Sequence, residues 1–300
     1  MQLMAMQLGS FIPEHTFQHN AGELAVGHVG PDNVPIRVYT PHDYSPDDGS
    51  KMFVAGIGLL SLPKQYDHLG DAIMEDHDAI TVIGHDHHHH RWPIRANSQD
   101  IIAATKELEL EHFVAVGHSM GTLAMLLALS DKQFADATDL LIQVDPPMTG
   151  NHLTYTPEDI FNVTREGIIL TAKHPIDALN FAVGALSECA HRPFVIAKQF
   201  LRLASGVVHD RYAELTNEHP EKDYVVIYNN RDGLVPKRWS QSMRGPKLTV
   251  LLHDSKTGLA HAAINEDPEF AHGLHALAHH EPVPSSFQPL YQGSHDLLVA

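Results

Sequence analysis

The sequence predicts an α/β fold. Its mostly parallel, twisted sheet starts with an antiparallel hairpin, carries helices on both faces and takes a helical cap after the sixth strand. Three observations predict this. Short uninterrupted apolar runs alternate with helical stretches, and a strand without polar alternation has both faces covered. Two alternating segments flank a turn near the start. One interval, Asp145 to Tyr224, holds helical patterns and nothing like a strand.

The hairpin is Glu23–Val29 and Val34–Tyr39, joined across Gly30-Pro31-Asp32-Asn33. A loop rich in Pro, Asp, Gly and Ser follows from Pro41 to Ser50. Met52–Ala55, Ala79–Ile83, Phe113–Val116, Leu140–Val144, Tyr224–Tyr228 and Leu248–Leu252 then read as buried strands. Helices are expected over 64–77, 97–109, 120–130, 236–243 and 262–280. The strand-free interval shows four more, near 157–172, 175–189, 193–205 and 208–217, two of them opened by Pro157 and Pro175. Such a block forms a cap over the sheet edge where ligands bind. The domain reading is a core of 22–146 and 219–280, a cap of 147–218 and a loose tail of 281–300, which holds three prolines.

Composition narrows the function. Of 300 residues, 43% are hydrophobic, enough for a real core in one or two compact domains. Acids outnumber bases 37 to 20, a net charge of −17, which argues against a nucleic-acid or anionic-membrane partner. The single cysteine, Cys189, leaves no internal disulfide and no Cys-rich zinc site. The longest apolar run, near Leu123–Leu129, is far below the ~20 residues that span a bilayer. Met1–Pro13 lacks both a basic start and a small-residue cleavage pattern, so it does not read as a signal peptide. With the cysteine poverty, this favours a cytoplasmic address.

The sharpest motif is Gly117-His118-Ser119-Met120-Gly121, between the strand Phe113–Val116 and the helix Thr122–Leu129. This is the G-x-S-x-G elbow, in which the chain turns from strand to helix so sharply that the serine is strained and its hydroxyl exposed. The helix N-terminus beneath it aims free N–H groups at any oxyanion that forms. A nucleophilic serine needs a base, and the base an orienting carboxylate, in the chain order Ser, acid, His. Asp232 stands after Tyr224–Tyr228 in a Gly-containing turn, with Asp145, after Leu140–Val144, as the rival acid. Among 25 histidines, His261 follows the last strand and opens the final helix. His253 lies within a strand end and His275 far along a helix, which makes both less suitable. A second oxyanion donor is expected in the loop Ala55–Ser61, from Leu59 or alternatively Ile57, beside the N–H of Met120.

This succession of strand, Gly-rich loop, elbow, helical cap, Asn230-Arg231-Asp232 and Gly258-Leu259-Ala260-His261 resembles the α/β-hydrolase fold family from about Gly22 to His280. The resemblance implies a serine hydrolase without cofactor, acting on a small acyl substrate such as a carboxylic ester or thioester. Ser119 is then the nucleophile, Asp232 the acid and His261 the base. Relatives usually carry His-Gly where this sequence has Ile57-Gly58, and often Gly-x-Gly where it has the run His85-Asp86-His87-His88-His89-His90. That run reads as adventitious surface metal binding, with no second His, Asp and Glu cluster at i, i+4 spacing beside it. The cap residues Phe161, Ile168, Ile169, Phe181, Phe194 and Phe200 read mostly as core, the remainder as lining for an apolar acyl group.

Overall fold

The structure, a computed structural model, describes residues 9–30, 32–58, 61–84, 93–147, 156–173, 216–237, 247–257 and 259–290, with residues 175, 178, 179, 182 and 214. Its strands form one ten-stranded sheet in the order β1-β2-β3-β5-β4-β6-β7-β8-β9-β10. They are β1 (His15–Gln18), β2 (Gly22–Val29), β3 (Val34–Pro41), β4 (Met52–Gly56), β5 (Ala79–Ile83), β6 (Phe113–His118), β7 (Thr138–Val144), β8 (Asp223–Asn229), β9 (Leu248–His253) and β10 (Phe287–Pro289). Strands β4 to β9 pair in parallel. The N-terminal hairpin joins β5 antiparallel through β3.

The predicted two-sided burial is present. In β4, Met52 and Val54 pack into one core, while Phe53 and Ala55 pack into the other. The first core is closed by α2 (Pro93–Glu107), α3 (Met120–Ala128) and α4 (Lys132–Ala137) through Ile101, Leu123, Met125 and Phe134. The second is closed by α1 (Asp67–Glu75), α6 (Ala263–Glu266) and α7 (Pro268–Ala278) through Leu69, Ile73, Ile264, Phe270 and Leu274. A side chain of this size contributes about 1.5–3 kcal/mol when fully buried.

The differences from the predicted elements have local causes. The helix expected over 262–280 is broken because the Asp267 carboxylate accepts the Glu269 N–H and Pro268 occupies the first turn, which together start a new helix. The stretch 64–77 opens with a 3₁₀ turn, Pro63–Tyr66, before α1. Helix α2 begins earlier than expected, at Pro93. Between β7 and β8, in the interval expected to form a cap, lies α5 (Pro157–Lys173). At its start Thr156 donates N–H and hydroxyl to Asp159, whose N–H returns to the Thr156 hydroxyl. The expected helices over 175–189, 193–205 and 208–217 lie largely outside the described residues, as does most of 236–243. Among the described residues no helix is long and apolar enough to cross a membrane.

The tail is not loose throughout. Residues 287–289 add an antiparallel edge strand to β9, anchored by Phe287, which is buried against the rings of His253 and Phe270. Proline in that stretch suggested a loop, but a short edge strand tolerates it. Replacing Phe287 by Ala should destabilise the fold by about 3–5 kcal/mol, read as a lower urea midpoint at unchanged slope. A midpoint equal to wild type would mean that β10 is not anchored through this ring.

Candidate active site

All of the parallel strands point one way, so the loops after β4, β6, β7, β8 and β9 gather at one sheet edge. Ser119 follows β6 with φ 51° and ψ −122°, a conformation rare for a residue with a side chain. Its N–H donates to the Val144 carbonyl at 2.8 Å, and its carbonyl accepts the N–H and the hydroxyl of Thr122. The flanking glycines are required by contact. A Cβ on Gly117 would lie 2.5 Å from Thr122 Cα, and one on Gly121 only 2.2 Å from the Gly56 carbonyl oxygen. The missing side chains let the elbow sit directly on the end of β4.

Asp232 and His261 meet above the same edge. His261 Nδ1 lies 2.7 Å from Asp232 Oδ2, and the Asp232 side chain is fully buried. The other oxygen, Oδ1, accepts the N–H groups of Leu234 and Val235 at 2.7 and 2.9 Å. Burial alone would depress the His261 imidazole. The facing carboxylate of Asp232, with Asp145 and Glu166 behind it, outweighs burial and raises the ring to about 9. No hydrogen bond joins the Ser119 hydroxyl to His261 among the described residues. Long or unaligned contacts of this kind are usual in unliganded sites and tighten when substrate binds.

The neighbour of Ser119 makes the connection instead. The His118 ring lies 4.8 Å from that of His261, tilted 42° to it, with Nε2 3.0 Å from the His261 carbonyl. His118 Nδ1 lies 2.7 Å from the Tyr66 hydroxyl, which also accepts the Gly58 N–H at 3.3 Å. Burial first, and then the charge of His261, hold the His118 imidazole well below its usual range. A neutral ring donating from Nε2 and accepting at Nδ1 satisfies every one of these contacts. The loop after β4, the elbow and the His261 loop are thereby joined by one buried chain.

The rival acid has another task. The Asp145 carboxylate accepts the backbone N–H and the side-chain amide of Asn229 at 2.8 and 2.5 Å. Burial, and then the charge of Asp232, push it well above the usual carboxylate range. The other histidines stand elsewhere: His253 Nδ1 lies 2.7 Å from Asn229 Oδ1, and His275 Nδ1 lies 2.7 Å from Asp78. Of the two expected oxyanion-loop residues, Leu59 lies outside the described residues. Ile57 is fully buried, and its carbonyl faces Gly121. Met120, at the first position of α3, carries the N–H directly after Ser119.

Of the apolar cap residues expected mostly as core, Phe181, Phe194 and Phe200 lie outside the described residues, Ile169 on α5 is half-buried, and Phe161 and Ile168 are not core. Phe161 and Ile168 are each 65% exposed, while the buried positions of this helix are Asp159 and Glu166. Beside the packing of Val163 against Gly233, several of its contacts are polar. Glu166 Oε1 accepts the N–H groups of Ala260 and Ala262 at 2.9 and 2.8 Å, on both sides of His261. Lys173 reaches the Thr257 carbonyl at 3.1 Å, and the Asp159 carbonyl fills the space left by the missing side chain of Gly233. Sequence reasoning missed Tyr66, Glu166 and Asn229, for which no motif exists. His118 was visible only as the second residue of the elbow.

No protein-family model matches the sequence, and no curated protein matches it. Solved structures do match. Est816, described as an N-acyl homoserine lactone degrading enzyme, superposes with a TM-score of 0.57 at 15% identity, over 83% of this chain and 99% of that one. The 2-hydroxy-6-oxo-6-phenylhexa-2,4-dienoate hydrolase of Rhodococcus sp. strain RHA1 gives 0.59 at 13% identity, over 85% and 99%. A membrane phospholipase A described as a bacterial virulence factor gives 0.56 at 15%, over 85% of each chain. Strand order, elbow and superpositions agree: the chain has the α/β-hydrolase fold.

Proposed function

We propose that this chain is a serine hydrolase that cleaves an acyl bond, a carboxylic ester or thioester, with Ser119 as nucleophile, His261 as base and Asp232 as its orienting acid. One observation carries the reading. The strained serine after β6 and the Asp–His hydrogen bond between the loops after β8 and β9 stand at one sheet edge, the roles that acyl transfer to a serine requires.

Asp232 engages Nδ1, which leaves Nε2 of His261 for the Ser119 proton. The hydroxyl oxygen attacks the acyl carbon, and the proton passes to Nε2. The N–H of Met120, at the positive end of α3, stabilises the oxyanion, with Leu59, or else Ile57, as the second donor. The imidazolium then protonates the leaving group. Water activated by the same nitrogen releases the acid and returns the serine. No cofactor takes part. An apolar acyl group is supported by Ile160, Phe161 and Ile168, exposed on the helix that touches both the Asp232 and the His261 loops. The names of the matched structures span lactone, phospholipid and carbon–carbon chemistry, so product analysis is what separates an esterase from the other reactions of this fold.

A panel of p-nitrophenyl esters from acetate to palmitate should be hydrolysed, with kcat falling by at least about 10³-fold in Ser119→Ala. A fluorophosphonate should label Ser119. Turnover surviving in the variant, or no labelling of the wild-type protein, overturns the reading.

The pH profile follows from His261. A ring raised to about 9 is protonated at neutral pH and cannot yet accept a proton. Ester kcat/KM should therefore climb about tenfold per pH unit on the acid side and level off near pH 9. Glu166 is one of the charges that raise this ring. In Glu166→Gln the amide oxygen still accepts the same N–H groups while the charge is gone, so the limb should move to lower pH. A limb that stays put, or moves up, removes Glu166 from the electrostatics of the site.

A further inference from the structure

The opposite edge of the sheet carries a second cluster of ligating side chains. Asp78 immediately precedes β5, at the N-terminal end of the parallel strands, whereas the Ser119 elbow follows the C-terminal end of β6. Its carboxylate is buried, 1% exposed, and Oδ1 accepts the Lys51 N–H at 2.7 Å. Helix α7 brings two imidazoles to this one carboxylate. His275 Nδ1 lies 2.7 Å from Oδ2, and His279 Nε2 lies 3.1 Å from each oxygen. The two residues are spaced i, i+4, His275 in the last turn of α7 and His279 at its C-cap, their ring centres 4.2 Å apart. A nitrogen of each and a carboxylate oxygen all lie within 4.8 Å of one another. The sequence expectation that no His cluster of this spacing exists is thus corrected, because the third member comes from nearly two hundred residues upstream.

Two imidazoles and one carboxylate are the donor set of a borderline divalent cation such as zinc. Tetrahedral coordination with bonds of about 2.0–2.1 Å places ligand atoms roughly 3.3 Å apart. His279 Nε2, at 3.1 Å from each carboxylate oxygen, is already near that value, and His275 Nδ1, at 2.7 Å, would move outward by roughly half an ångström. The Lys51 N–H orients the carboxylate as outer partners do in metal sites. The histidine side chains are 24% and 21% exposed, which leaves a way in and a fourth position for water. His272, paired with Asp76 at 2.7 Å, stands one turn away on the same helix.

We propose that Asp78, His275 and His279 form a site for a divalent cation of the zinc class, which ties the end of α7 to the start of β5. Lying across the sheet from Ser119, the ion acts on stability and not on the chemistry of the elbow. Without metal the same three groups form a hydrogen-bonded latch, and the experiment must separate the two. It must also exclude the His85–His90 run.

Chelator-stripped protein is melted with and without zinc chloride at neutral pH. Three forms are compared: wild type, His275→Gln with His279→Gln, and a control carrying His87→Gln, His88→Gln, His89→Gln and His90→Gln. An ion that binds the folded state alone raises Tm. The expected result is a rise of several degrees in wild type and in the run control, lost in the double variant. No rise in wild type, or an equal rise in the double variant, overturns the site. Cobalt(II) supplies a readout that does not depend on the double variant folding. The intense visible band of tetrahedral Co–N,O coordination should appear in the run control, and its absence there overturns the proposal.

Discussion

The structure of the site rests on one constraint: the loops after the parallel strands continue the sheet ladder one residue beyond its end. Ser119 N–H bonds to the Val144 carbonyl, Asp145 N–H to that of Ile227, and Asn230 N–H to that of His253. Each of these bonds reaches the next strand over, so the loops after β6, β7 and β8 are registered against one another before any side chain is considered. The cost is strain. Ser119, Asp145 and Arg231 all take positive φ, at 51°, 46° and 69°, each worth about 1–3 kcal/mol. Strained non-glycine residues at three successive strand ends persist only because the ladder and the packing beneath overdetermine them. They are the reason the Ser119 side chain and the Asp232 loop rise from one edge.

Electrostatics then decides the state of the imidazole. Three buried carboxylates surround His261, and they are not equivalent. Asp232 spends one oxygen on two backbone N–H groups and the other on the ring. Asp145 and Glu166 have their oxygens turned to amide and backbone donors instead. Burial, and then the charge of Asp232, push both of them upward. One carboxylate holds the proton-bearing ring, and two poised nearby raise it without bonding to it. That division follows from the donors each group meets and not from residue type, which is why the sequence could offer Asp145 as a rival to Asp232 while the fold gives the two different partners.

How much was legible follows the range of each interaction. The buried strands were readable because two-sided burial writes a continuous apolar run, and the elbow because its two glycines answer to contacts within a few residues or with one adjacent strand. The edge strands were not. All of β1 is exposed and carries no alternation of burial, and β10 is held by one phenylalanine inserted among rings of β9 and α7. The Tyr66–His118 bond spans 52 positions and that of Glu166 to the His261 loop about a hundred. Nothing local marks either partner. The expected second oxyanion donor sits between these cases, since glycine allows a bend without saying which N–H it turns inward.

The cap helix shows why a pattern can be read correctly and its packing wrongly. An amphipathic stretch over 157–172 argues that the apolar side is buried, and α5 does form there. Yet its buried side chains are Asp159 and Glu166, while Phe161 and Ile168 stand out in solvent. The amphipathic argument assumes that a helix is held by the hydrophobic effect. This one is held also by hydrogen bonds to the backbone N–H groups of Ala260 and Ala262, on either side of His261, beside the packing of Val163 against Gly233. An unmet buried N–H costs about 1–3 kcal/mol. Moving α5 off the loop strands both, and it frees a carboxylate whose burial was tolerable only with those partners. The position of the cap helix and the position of the imidazole are therefore one equilibrium, set by a glutamate that the amphipathic pattern assigns to solvent.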